Sequence, residues 1–297
     1  MNDETGVNRW NYRRLGQCRL LAGVYAPVIA PTGNAGEDRR ANWLAKVRAV
    51  LAVYADKHPV LYGPTALQAL GVALPTHAEE WNVIHIMVDQ AAERPQRNGI
   101  VAHSGLRGRP QQVTADGLPV LHPVDHWLQM RGLSDDAMVQ IGDGLLRRHN
   151  PLLSLKGMQA RLSALSGTPG AKQAKRVMKL IRPGTDSIYE TKTRLVLFHH
   201  GMGTPHVNPT IWCPMVGATY HVDMGYLSAK LAIEYDGLVH IGSKSQMDFD
   251  AIRRRHLQDA GWLIITVTAS QLRHPGEFVR SVENALVLRT SSGGSAA

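Results

Sequence analysis

Apolar residues return every three or four positions across residues 41–55, at Trp43, Leu44, Val47, Val50, Leu51 and Tyr54. That spacing predicts a helix with one core-facing stripe. Ahead of it, residues 20–26 predict a strand and residues 31–36 a loop; beyond it, Pro64 opens a short helix to Leu70, with Gly71 as its stop. Val83, Ile84, Ile86 and Val88 form a buried-strand pattern. The Gly- and Pro-rich run 105–119 reads as loop with short strands, and residues 123–148 as helix interrupted near Gly132. The first half is therefore expected to be an α+β region over residues 1–165.

The second half is more regular. Ser187-Ile-Tyr-Glu190 has the form of a capping box opening a helix that runs to about His200, where Gly201 ends it. Strand patterns follow at residues 207–211, 220–226 and 231–235. Residues 245–260 predict a helix with Phe249, Ile252, Leu257 and Ala260 on its apolar face; residues 262–268 predict a buried strand, and Pro275 opens a last helix bearing Phe278, Val279, Val282 and Leu286. The order is α-β-β-β-α-β-α, an α/β arrangement. Between the halves, Lys172, Lys175, Arg176, Lys179 and Arg182 come with no acid among them, so residues 166–184 read as a basic linker. It is either a solvated helical face or a nucleic-acid contact surface. Residues 291–297, Ser-Ser-Gly-Gly-Ser-Ala-Ala, read as a disordered tail.

Composition narrows the class of partner. With 297 residues, 44% hydrophobic and 19% charged, the chain has material for two folded domains. Its 33 Lys plus Arg against 24 Asp plus Glu leave a formal charge of +9, which favours a polyanion. Cys18 and Cys213 stand far apart with no disulfide framework, fitting a reducing cytoplasm. The polar, acidic opening Met1-Asn-Asp-Glu-Thr does not read as a signal peptide, and the most apolar runs fall far short of the roughly 20 residues of a membrane span.

Candidate chemistry concentrates at Tyr220-His-Val-Asp-Met-Gly-Tyr-Leu-Ser-Ala-Lys-Leu-Ala-Ile-Glu-Tyr-Asp-Gly-Leu-Val-His240. Strand alternation puts Val222, Met224 and Tyr226 on one face and Asp223 on the other; on the next strand Glu234 and Asp236 oppose Leu231, Ile233 and Tyr235. A turn at Ser228-Ala229 makes Asp223 and Glu234 direct cross-strand neighbours, with Cβ atoms about 5 Å apart. Two like charges there repel unless a divalent cation lies between them, and Mg²⁺ takes such hard oxygen ligands. That is a phosphodiester-cleaving site in outline. The competing reading leaves both acids exposed on a polar sheet face. Glu190 reads as a capping-box partner of Ser187. Asp250 and Arg253, one turn apart, read as a surface ion pair or as part of the site. His199, His200, His206 and Cys213 match no standard zinc spacing, and Trp43, Trp81, Trp127 and Trp212 read as core or boundary aromatics rather than base-stacking platforms.

The element order, Glu190, Val-Asp223 and Ile-Glu234-Tyr-Asp236-Gly together resemble the PD-(D/E)XK nuclease superfamily. More closely, Glu234-Tyr-Asp-Gly-Leu-Val-His240, Asp250-Ala-Ile-Arg253-Arg-Arg-His-Leu257 and Gly261-Trp262 are similar to a branch related to very-short-patch-repair endonucleases. The resemblance covers roughly residues 185–290. It implies a restriction-endonuclease-like αβββαβ core, a Mg²⁺- or Mn²⁺-dependent DNA endonuclease, metal held by Asp223 and Glu234, and catalytic parts for His240, Asp236 and Glu190. Asp236 stands where the superfamily typically has lysine, a substitution the branch shares. DNA contacts are expected from Arg253, Arg254, Lys175, Arg176 and Lys179. In the first half, Leu20-Leu-Ala-Gly-Val-Tyr25, Leu61-Tyr-Gly-Pro-Thr-Ala-Leu-Gln-Ala-Leu-Gly71 and Gly117-Leu-Pro-Val with Pro123 and Asp125 resemble AbiEi-type antitoxin domains. That likeness implies a recognition or regulatory module and a toxin or other protein partner. The alternative to an enzyme is a DNA-binding regulator or antitoxin retaining a nuclease fold.

Overall fold

The computed structural model describes residues 13, 17–21, 24–75, 83–237 and 244–292, and the chain divides between Arg131 and Gly132 into two units. Both are mixed α/β.

In the first unit, β1 (Gln17–Leu21) and β2 (Val24–Pro27) pair antiparallel, so the single strand expected at 20–26 is a hairpin. The Asn34 side chain accepts the backbone N–H groups of Gly36 and Glu37 and starts α1 (Ala35–Val53) six residues earlier than its apolar stripe. There follow β3 (Val60–Leu61), α2 (Gly63–Ala69), β4 (Ile84–Val88), β5 (Ile100–Ser104), β6 (Gln111–Val113), β7 (Pro119–Leu121) and α3 (Pro123–Gln129). The sheet order is β5-β4-β3-β7-β6. Val47 and Val50 of α1 pack with Leu61, Ile84, Ile86 and Val120. Alternation sends His85 to the opposite face, where its Nδ1 lies 3.2 Å from His103 Nε2. Burial, then the neighbouring His103, pushes His85 down to about 4.

The second unit begins with α4 (Asp135–Leu145), α5 (Leu155–Ala164) and α6 (Ala171–Val177), which precede α7 (Ile188–His199). The expected linker 166–184 is therefore part of a fold. Ala171, Ala174 and Val177 are buried and, with Ile181, form an apolar edge behind the lysines. These small residues at three-residue spacing lie within the run of cations that made the segment read as a connector. Gly142 allows the close approach: a Cβ there would meet Ile181 Cδ1 at 2.5 Å.

A fully buried ion pair joins α4 to α7. Asp143 accepts from Arg194 Nη2 at 2.7 Å, from the Thr191 hydroxyl at 2.8 Å and from the Arg182 backbone N–H at 2.8 Å. Burial still pushes the Asp143 carboxyl above its ordinary range. This pairing places the boundary at Arg131/Gly132 rather than near residue 166.

Then come β8 (His206–Val207), β9 (Thr210–Cys213), β10 (Ala218–His221), β11 (Met224–Tyr226), β12 (Leu231–Asp236), α8 (Lys244–Asp259), β13 (Leu263–Thr268) and α9 (Gly276–Ser292). The sheet order is β13-β12-β11-β8, with β8, β11 and β12 successively antiparallel and β13 parallel to β12 across α8. One face carries Met224, Leu231, Ile233 and Val267 against Leu197 of α7 and Phe278 and Val282 of α9. The other carries Ala232 against Leu257 of α8, Trp262, and Ile211, Cys213 and Val222.

Two expected strands are each broken in two, and β9 with β10 forms a separate two-stranded sheet. Asn208 is left-handed at φ 46 and Pro209 has no N–H to donate, so the chain leaves the main sheet there and returns at Val222 and Asp223. Val222 and Met224 consequently pack in different clusters rather than on one face. α9 extends to Ser292, into the expected tail; residues 293–297 lie outside the described residues.

Replacing Asp143 with Ala should destabilise the second unit by about 3–5 kcal/mol in urea unfolding, because Arg194 is left buried without its carboxylate. An Asp143→Leu/Arg194→Met double variant should lose much less than the summed single losses. In the first unit, the depressed His85 contributes stability that is complete above pH 6.5 and is lost as pH falls toward 4, since the unfolded chain takes up the proton first. Hydrogen exchange corrected for intrinsic rate should show β4 losing protection from pH 7 to pH 5, and His85→Gln should flatten that dependence.

Candidate metal centre

The strand register sets the two central acids. Met224 lies opposite Ile233, Gly225 opposite Ala232 and Tyr226 opposite Leu231. One further step places Asp223 opposite Glu234, around the turn closed by Lys230 N–H donating to the Leu227 carbonyl. Since Met224 and Ile233 face α7 and α9, alternation turns Asp223 and Glu234 toward α8.

Arg253 of α8 meets them. Its Nη2 lies 2.6 Å from Glu234 Oε1, and its Nη1 donates to the His221 carbonyl at 3.0 Å. The sequence placed Arg253 beside Asp250 or on DNA phosphate; the fold directs its guanidinium to Glu234 and the hairpin end. Asp223 Oδ2 accepts the Tyr235 backbone N–H at 2.8 Å. Burial and then Glu234 push the Asp223 carboxyl up to about 6, against the lowering effect of that N–H and of Arg253.

Glu190 joins this group from the first turn of α7. Ser187 accepts the Glu190 N–H at 3.1 Å, as a capping residue does, but the Glu190 carboxylate turns to the Asp186 N–H at 3.0 Å. Asn208 Nδ2 adds a contact at 3.4 Å and also donates to the Gly184 carbonyl, while the Asn208 N–H donates to the Asp223 carbonyl at 2.9 Å. Burial, then the charge on Asp223, pushes Glu190 up to about 7. Glu190 thus stands in the first turn of α7 without closing a capping box on the Ser187 N–H, and it feels the charge of Asp223. Beside it, Tyr189 stacks on Tyr235 with ring centroids 4.6 Å apart and planes 2° from parallel, bracing α7 against β12.

The remaining expected site residues divide. Asp236 is exposed at the end of β12, on the Glu234 face. His240 lies outside the described residues. Arg254 is exposed on α8. Lys175 donates to the Ser166 hydroxyl at 2.9 Å, and Arg176 makes a two-point pair with Asp135 at 2.7 Å, so both are engaged around α6; Lys179 is exposed. Asn208 was not anticipated. A lone Asn-Pro in a strand-like run signals a turn, which is the one sequence sign of its place.

Among the described residues, no group of three or more His, Cys, Asp or Glu side chains is positioned to hold a metal ion. Asp223 and Glu234 nonetheless supply two hard oxygen donors, the number Mg²⁺ commonly takes from protein, its other positions going to water and phosphate. Their chemistry fits that ion, and the repulsion from Glu234 that adds to burial in raising Asp223 is what a cation would relieve.

No family model matches the chain, and no solved structure matches it. Two uncharacterised proteins of Mycobacterium tuberculosis, MT2308 and Rv2248, are each 24% identical to it over 255 residues, covering 80% of this chain and 90% of each relative. The similarity therefore runs through both units. Among the described residues no helix is long and apolar enough to cross a membrane.

A carboxyl held up in the fold lowers stability once the unfolded chain has given up its proton, so the penalty from Glu190 is absent below about pH 4.5 and full above about pH 7. Glu190→Gln should therefore stabilise the protein by on the order of 1–3 kcal/mol at pH 8 and by little at pH 4.5. Thermal unfolding at the two pH values measures the difference.

Proposed function

We propose that the second unit is a Mg²⁺- or Mn²⁺-dependent DNA endonuclease, of PD-(D/E)XK type, working in DNA repair or in phage or toxin–antitoxin defence in the cytoplasm. One observation supports this reading: Glu190, Asp223 and Glu234, from three separate elements and largely buried, act on one another by charge, so that beyond burial Asp223 raises Glu190 and Glu234 raises Asp223. A fold that needed only stability would not gather repelling carboxylates, and perturbed acids concentrate at functional sites.

Asp223 and Glu234 would hold the ion. Bound there, it supplies a Lewis acid for a phosphate oxygen and lowers the pKa of an attacking water. Tyr235 N–H fixes the orientation of Asp223, and Arg253 fixes that of Glu234. Glu190 holds or releases a proton near neutral pH, a value suited to proton exchange with water at the site. The exposed Arg254 and Arg255 on α8 supply phosphate attraction beside it, in keeping with the +9 balance of the chain.

A second reading, a DNA-binding regulator that keeps the fold without cleavage, draws on the Arg253–Glu234 pair, which neutralises Glu234 with no cation present. Nicking of supercoiled plasmid with Mg²⁺ or Mn²⁺ separates the two. The nuclease reading expects Asp223→Ala and Glu234→Ala each to lose at least about 100-fold in rate, the range over which a lost charge-stabilising group is felt in catalysis. Equal nicking by all three proteins overturns it, and salt-sensitive DNA binding without cleavage favours the regulator.

A further inference from the structure

The hairpin of β9 and β10 stands out from the sheet and carries a large exposed apolar surface beside the carboxylates. Its inner residues Ile211 and Cys213 pack with Leu257 of α8. Its outer face carries Trp212, 59% exposed, across from Thr219, and its tip carries Met215 at 81% and Val216 at 44%. Tryptophan is heavily buried on average, and the expectation that Trp212 is a core or boundary residue fails here; Trp127, by contrast, is fully buried. Residues 209–222 contain no acid and no lysine or arginine.

Arg253 ties this surface to the site, since one guanidinium grips both Glu234 and the carbonyl of His221, the last residue of β10. Thr219, the cross-strand partner of Trp212, precedes Asp223 by four residues along the chain.

We infer that the outer face of this hairpin is a stacking platform for unpaired nucleotides flanking the scissile phosphate, with Trp212 as the stacking ring and Met215 as the contact at the tip. The identity of the polymer rests on the nuclease reading above. An exposed aromatic ring on an acid-free hairpin packed against α8, the helix that carries the exposed Arg254 and Arg255, matches the pairing of stacking and backbone attraction by which single strands are bound. A polyanion is favoured over an acidic or neutral protein by the same charges. The substrate class is thus DNA with an unpaired segment, such as a tail or gap, next to the cleavage position.

Fluorescence anisotropy tests this in EDTA, where cleavage is stopped, with dye-labelled duplex bearing a short unpaired tail and blunt duplex of the same length. Trp212→Ala should weaken binding to tailed DNA about 5- to 150-fold, the range for one lost base–aromatic stack. Trp212→Phe should keep most of the affinity, Met215→Ala should lose a smaller part, and blunt duplex should bind all variants alike. Matching thermal unfolding of the variants and wild type shows that the fold is intact. Equal affinity of wild type and Trp212→Ala for tailed DNA overturns the platform, and Asp223-dependent nicking in the same preparations leaves the nuclease reading standing. Trp212-dependent binding to the tail without nicking does the reverse. A concentration-dependent dimer in light scattering that Trp212→Ala abolishes, with DNA binding unchanged, also overturns the platform and assigns the hairpin to a second copy of the chain.

Discussion

The guanidinium of Arg253 makes two contacts that the candidate site depends on. Through Nη2 it holds Glu234 on β12, and through Nη1 it holds the end of the β9–β10 hairpin at His221. Three elements within about forty residues of one another are thereby set together at the place where Asp223 and Glu234 face α8. Planar geometry suits this task, because a guanidinium can donate along two directions at once, as a lysine ammonium on a flexible stem does less well. The same contact gives Glu234 a counter-charge in a setting where its cross-strand neighbour is another acid.

The fold accepts unfavourable electrostatics in two places, for different reasons. Asp143 and Arg194 are buried as a pair with every carboxylate oxygen engaged, and the arrangement fastens α4 to α7. Hydrophobic residues of similar shape would hold two helices together at least as well, so what the ion pair adds is a fixed alignment of α7. Glu190 rides on that helix, next to Thr191 and one turn from Arg194. The second place is the carboxylate group itself, where burial pushes Glu190 and Asp223 up, Asp223 adding to the shift of Glu190 and Glu234 to that of Asp223. Among the described residues, hydrogen bonds from the Asp186 N–H, the Asn208 amide and Ser187 partly offset this at Glu190.

A left-handed Asn followed by Pro makes the rest possible. Asn208 turns the chain out of the sheet, so the two central strands of a simple meander become a short β8 and a short β11 with a hairpin between them. The same residue touches the backbone of Asp223 and the side chain of Glu190. One local conformational feature therefore projects an aromatic surface and fastens the acids beneath it. In the first unit the polar interior includes Thr65, Asp125 and His126, and beside it the His85–His103 pair with Tyr62 is kept neutral mainly by burial.

Much of this was present in the order of residues. Helix and strand periodicity placed the elements from α7 to α9, with two strands each split in the fold, but not α5 or α6. The equal distance of Asp223 and Glu234 from a turn at Ser228-Ala229 sufficed for their register, because a hairpin's pairing follows from its turn and from the two-residue alternation of its side chains. Local signals of this kind are properties of short segments. What the sequence left open depends on contacts between segments. The basic run at 166–184 belongs to a packed helix because α4 offers it an apolar groove at Gly142, and α4 itself belongs to the second unit because Asp143 finds Arg194 fifty-one residues away. The partner of Arg253, the turn of Glu190 away from Ser187 and the exposure of Trp212 were likewise decided only in three dimensions. A guanidinium, a carboxylate and an indole each have several chemically equivalent destinations along a chain, and only the packed fold selects among them.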